Sequence, residues 1–192
     1  MARCVEFNEV EKIEKAMNLF SEKGYNATSM QDLVDAMQIN RSSLYNTIGD
    51  KHQLFMKCIN NYFDNAMLEI KEKVCQHDSA KKALISIIKD KANWIISSDK
   101  GCLGMKTSFE VATDDCMVRN QMSKNSDVFI DFLATVVQRA MDDGEMDDSE
   151  DAALMAEYIA TSFTGWKQSY ILHENPIKIK KMSEFLIKNI FK

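Results

Sequence analysis

The chain has one proline and six glycines in 192 residues, too few breakers for a protein of short strands joined by tight turns. Strand-like alternation is scarce, and long stretches repeat apolar residues at helical spacing instead, which predicts an all-α protein. The five cysteines, at positions 4, 58, 75, 102 and 116, form no C-x-x-C pair and are odd in number, which argues against a disulfide framework. Histidine occurs at 52, 77 and 173 only, with neither H-x-x-x-H nor Glu-x-x-His spacing, so a zinc protease or di-iron bundle finds no ligand set and no metal is expected. No apolar run approaches membrane-spanning length, and Met1 to Glu11 lacks the apolar core of a secretory signal, so a cytoplasmic protein without membrane attachment is expected.

Catalytic machinery is also missing. Gly101 to Ser108 superficially suggests a phosphate-binding loop, but Met105 stands where a Walker loop needs glycine before the lysine, and a helical pattern precedes it. In the acidic run Asp142 to Asp148, putting Gly144 at loop position 6 of an EF-hand would make Arg139 and Met141 the first and third calcium ligands. Neither bears an anionic or carbonyl side chain, so a solvated turn is expected. No nucleophile and base stand in a recognisable pattern, and neither an enzyme nor a cofactor is expected.

What is present is concentrated between Thr28 and Lys51. Thr28 with Gln31 has capping-box spacing, and Met30, Leu33, Val34 and Met37 then form one apolar helical face. Gln38 and Ile39 fit a turn, and Asn40 is a good cap for a second helix whose Leu44 and Ile48 face the core beside Ile39. That leaves Arg41, Ser42, Ser43, Tyr45, Asn46 and Thr47 facing outward. Asp50 with Gln53 opens a third helix, and Lys51 sits in its first turn, where a cation opposes the helix macrodipole and needs a partner such as phosphate. Helix, turn and exposed second helix is the arrangement that enters the DNA major groove; an ordinary helical hairpin, or a protein-interaction module without specific DNA binding, is the alternative.

Asp32-Leu33, Ala36, Ile39 to Tyr45, and Lys51 through Leu54-Phe55, preceded by Gly24-Tyr25-x-Ala27-Thr28-Ser29, resemble the TetR family of bacterial transcriptional regulators. The resemblance implies a three-helix DNA-binding head over residues 1–51 and a helical ligand-binding and dimerisation body over 52–192, about nine helices in all. It also implies a ligand- or stress-responsive regulator, a repressor in the first instance, that binds operator DNA as a homodimer and is released by a small-molecule or electrophile effector. Thr28, Ser29, Tyr45, Asn46 and Lys51 correspond to positions that clamp phosphates, and Arg41, with Ser42 and Ser43, to base readout. Gln38 departs from the family pattern, which has glycine at the turn, and Ile48 replaces the customary phenylalanine.

The rest of the chain reads as scaffold. Asn8 to Lys23 is a first helix with Val10, Ile13, Met17 and Phe20 as its buried stripe and Gly24 as C-cap. Helices are predicted over 50–76, 79–98, 114–142, 149–173 and 176–191, and the last two carry the small and apolar residues suited to a dimer interface. Tyr62, Met67, Trp94, Met105, Phe109, Phe132, Phe163 and Trp166 are candidates for an effector pocket. Cys102, in a Gly-Cys-Leu segment like one in a branch of the family, is a candidate redox sensor beside Lys100 or Lys106, with a small buried hydrophobe as the alternative.

Charge tempers the nucleic-acid reading. The chain carries a net −5, and Met1 to Lys51 holds six Lys and Arg against eight Asp and Glu, a net of −2. Arg3 is the only cation ahead of the first helix, so a basic minor-groove arm is missing. DNA binding is therefore expected to rest on a few placed contacts, with a salt dependence of roughly −0.9 in log–log slope per neutralised phosphate.

Overall fold

A computed structural model describes residues 9–98 and 101–191; Arg3 and Lys100 lie outside them. Within the described residues all regular structure is helical: α1 Glu9–Lys23, α2 Met30–Met37, α3 Arg41–Thr47, α4 Lys51–Cys75, α5 Ala80–Ser97, α6 Leu103–Glu110, α7 Cys116–Asp142, α8 Ala152–His173 and α9 Pro176–Ile190. No helix among them is long and apolar enough to cross a membrane.

The chain forms two compact units, residues 1–65 with 100–123, and residues 66–99 with 124–192. Each has its own core. In the first, Phe20, Leu33, Met37, Leu44, Leu54, Phe55 and Ile59 are sealed from solvent, with Leu103 and Val118 supplied by α6 and α7. Full burial of each such side chain contributes about 1.5–3 kcal/mol. Two expectations for α1 are met, since Phe20 is buried and Gly24 ends the helix at φ +85° with its amide on the Phe20 carbonyl. Val10 differs: it is 68% exposed, and Ala16 takes the buried position on that face. The small methyl lets α1 approach its neighbours where a larger side chain would hold it off.

In the second unit Leu84, Ile88 and Ile95 of α5 pack with Leu133 and Val137 of α7, Ala156 and Ile159 of α8, and Ile179 and Leu186 of α9. Its helices are capped as their sequences require. Ser79, Asp151 and Asn175 each accept a backbone N–H three residues on, opening α5, α8 and α9. The turn between α7 and α8 places Gly144 at φ +70° and buries Met146.

Candidate nucleic-acid interface

The capping residue of α2 is Ser29 rather than Thr28, which corrects the expected Thr28–Gln31 box. Ser29 Oγ accepts the Asp32 N–H at 3.0 Å, and the Asp32 carboxylate accepts the Ser29 N–H at 2.8 Å. Aspartate closes the reciprocal pair as glutamate would. Thr28 is instead buried, 1% exposed, and its hydroxyl donates to the Gly24 carbonyl at 2.6 Å. Gln31 points along the helix surface to Asp35. Of the adjacent Thr28 and Ser29 hydroxyls, both expected to meet phosphate, only that of Ser29 is on the surface.

Asp32 gathers the start of α2. It accepts from the Ser29 amide and hydroxyl and from Lys23 Nζ at 2.7 Å, and the lysine above all, then Ser29, holds its carboxyl well below the usual carboxylate range. Gln38 ends α2 in the left-handed conformation, φ 53° and ψ 49°, with its amide on the Asp35 carbonyl and the Ile39 amide on that of Val34. A non-glycine residue does occupy the strained turn.

Asn40 then caps α3 by accepting the Ser43 N–H at 2.7 Å. Leu44 and Ile48 are buried in the core and fix the rotation of this short helix, with Ile39 partly buried against the same cluster. Arg41, Ser42, Tyr45, Asn46 and Thr47 are consequently exposed, and Ser43 is half-buried. The Arg41 guanidinium lies 6.0 Å from the centre of the Tyr45 ring, and the Asn46 amide reaches Ser42 Oγ at 3.5 Å. The outward face thus presents a bidentate donor, hydroxyls and an amide, groups suited to base edges and phosphate oxygens.

At the head of α4, Asp50 and Gln53 cap one another: the Gln53 amide donates to Asp50 Oδ1 at 2.8 Å and the Asp50 amide to Gln53 Oε1 at 3.1 Å. Lys51 follows, half-buried, its ammonium 4.3 Å from the centre of the Tyr25 ring. Burial lowers its pKa, against the pull of the Glu110 and Asp32 carboxylates.

Residues 13–58, which contain this whole arrangement, match the family described as bacterial regulatory proteins, tetR family, and residues 81–186 match the tetracyclin repressor-like C-terminal domain. The chain belongs to the TetR family. It is a DNA-binding transcriptional regulator and not an enzyme. Among similar proteins, the HTH-type transcriptional regulator YezE of Bacillus subtilis is 28% identical over 165 residues, covering 84% of this chain and 85% of that protein. The HTH-type transcriptional repressor ComR of Escherichia coli is 26% identical over 150 residues, covering 77% and 71%. A cysteine-substituted CifR solved with 26-bp double-strand operator DNA shares the fold at a TM-score of 0.83 and 20% identity, over 95% of this chain and 97% of that one.

Outside the TetR head, the remaining candidates are dispersed. Tyr62, Met105 and Phe109 belong to the first unit, and Met67, Trp94, Phe132, Phe163 and Trp166 to the second. Phe109 is 72% exposed, while Phe163 and Trp166 are buried core residues packed edge to face at 5.5 Å. Cys102 is half-buried at the start of α6, its sulfur 3.6 Å from the Tyr62 hydroxyl. The Lys106 ammonium donates to the Glu22 carbonyl at 2.5 Å. Cys58, by contrast, is sealed in the core, and burial pushes its thiol up to about 12.

Two further residues shape the head. Glu110, at the end of α6, accepts the Asn26 N–H at 2.5 Å, and a Cβ on Gly24 would collide with its carboxylate. Tyr25 carries the Lys51 cation. Gly24-Tyr25 in the family pattern was the available signal for Tyr25; for Glu110 the local sequence offers none.

Proposed function

We propose that the protein is a homodimeric repressor that reads operator DNA with Arg41, Ser42 and Ser43, clamps phosphates with Ser29, Tyr45, Asn46 and Lys51, and is released by a small-molecule or electrophile effector in the cytoplasm. The outward face of α3 carries this reading: five exposed polar or aromatic side chains on a helix locked in rotation by Leu44 and Ile48. The names of ComR, a repressor, and of the CifR complex with operator DNA point the same way.

Pairing through α8 and α9 is supported by the surface of the second unit. Tyr158, Ser162 and Gly165 of α8 and Ile177, Met182 and Phe185 of α9 line an open groove of about 800 Å³, and Ile177 and Phe185 are each 66% exposed. Exposed apolar side chains gathered at one groove, rimmed by Lys178 and Lys181, favour an interface there, and a two-fold dimer matches an operator with repeated half-sites. An effector works only through unequal affinity for the DNA-competent and incompetent states. Cys102 is the electrophile-responsive candidate; if Cys102→Ser leaves release by a thiol-reactive compound unchanged, the effector acts elsewhere.

The test of the main reading is selection of bound duplexes from a random pool, with the mass of the complex measured by sedimentation. Enrichment of a two-fold repeated site bound by two chains is expected. Absence of any enriched sequence would instead favour a helical protein-interaction module.

A further inference from the structure

Lys51 is set where a lysine is disfavoured on two counts. A cation in the first turn of a helix opposes the macrodipole, and a flexible lysine stem loses rotamer freedom when its end is fixed by a ligand, which weakens binding. The surroundings answer both. The ammonium stands 4.3 Å from the centre of the Tyr25 ring, whose face attracts cations through its quadrupole. That ring is itself fixed: it packs at 4.6 Å and 47° to Phe55 and at 6.1 Å and 26° to Phe20, and those two rings meet edge to face at 4.9 Å. Phe20 and Phe55 are fully buried. The neighbouring carboxylates are engaged by other donors, Glu110 by the Asn26 amide and Asp32 by Lys23 and Ser29.

We infer that Tyr25 is a positioning residue for DNA binding, its ring holding the Lys51 ammonium in place at the head of α4 before the phosphate arrives. Three mutually packed rings anchor the cation to the core, so the freedom of the lysine stem is given up on folding and not on binding. The inference rests on the reading of Lys51 as a phosphate contact.

A double-mutant cycle tests both statements separately. The full chain and its Tyr25→Leu, Lys51→Ala and doubly substituted variants are titrated with the selected operator over a series of salt concentrations. Lys51→Ala is expected to weaken all sequences and to flatten the salt slope by roughly 0.9 for each head of the bound dimer. Tyr25→Leu is expected to weaken binding about three- to tenfold in the wild-type background and by less than about twofold when Lys51 is already alanine. Tyr25→Phe, which keeps the ring, should bind like wild type. A ring-fluorinated phenylalanine at position 25 guards against a loss of folding in the leucine variant, because it keeps the packing of phenylalanine and removes the negative ring face; it should bind more weakly than Tyr25→Phe. If Lys51→Ala has no effect, the phosphate reading itself is wrong. If Lys51→Ala weakens binding while Tyr25→Leu and the fluorinated ring cost nothing, or cost the same in both backgrounds, Tyr25 does not position the lysine.

Discussion

Two helical faces of this protein are exposed for opposite reasons. On α3 the outward residues are Arg41, Ser42, Tyr45, Asn46 and Thr47, polar or hydroxyl-bearing groups on a helix of seven residues anchored by Leu44. On α8 and α9 they include Tyr158, Ile177 and Phe185 beside Gly165, apolar area around a groove. The polar face can meet water or a polyanion and exchange one for the other at modest cost. The apolar face gains only by being covered, and its gain scales with area removed from water. The first is therefore suited to reversible reading and the second to lasting association.

The largest effect should come from putting a charge on the apolar face. Phe185→Glu is expected to weaken self-association by about 2–4 kcal/mol, the range for losing an interface anchor and desolvating a carboxylate. Sedimentation should show the chain shifting to monomer, with helical content unchanged because Phe185 is exposed in the single chain. Operator affinity should fall with it, since two linked heads gain from effective concentration. An unchanged assembly would show that this face is not the one that pairs.

Next in size is the polar face. Arg41→Ala should cost about 1–3 kcal/mol of operator affinity and broaden the sequence logo at one position of each half-site, while leaving assembly untouched. That separation is the sharper half of the comparison: a substitution on α3 moves specificity without moving mass, and one on α9 moves mass first. If Arg41→Ala weakened every sequence equally, Arg41 would be a phosphate contact and base readout would pass to Ser42 and Ser43.

Much of this contrast was legible in the sequence, because it depends on periodicity and caps. Asn40, Asp50 with Gln53, Ser79 and Gly24 all act as their positions in the chain suggest. Leu44 and Ile48 are apolar at the spacing that turns Arg41, Ser42 and Asn46 outward. The Thr28–Gln31 box was misplaced by one residue, because two adjacent hydroxyls each have a carboxylate or amide three positions on, and only packing decides that Thr28 turns inward to Gly24. What could not be read was long-range recruitment. The first unit draws in residues 100–123, and its contacts Glu110 to Asn26 and Lys106 to Glu22 each span 84 positions. A division of the chain at residue 51 follows chain order, and nothing local to Asn26 announces a carboxylate from α6.

The smallest expected effect concerns the turn that aims the polar face. Gln38 sits at φ 53° and ψ 49°, and a side chain with a Cβ is strained there by about 1–2 kcal/mol relative to glycine. Glycine gains that relief but raises the entropy of the unfolded chain, which takes back about 0.5–1 kcal/mol. Gln38→Gly should therefore stabilise the protein by about 0–1.5 kcal/mol net, read as a rise of up to a few degrees in the thermal midpoint. Operator affinity should stay within about twofold, because Leu44 and Ile48, and not the turn side chain, hold α3 against the core. A gain in stability joined to a clear loss of affinity would have a different meaning. It would place the exposed Gln38 side chain on the DNA, and would make the departure from glycine at this turn part of the reading surface rather than a tolerated strain.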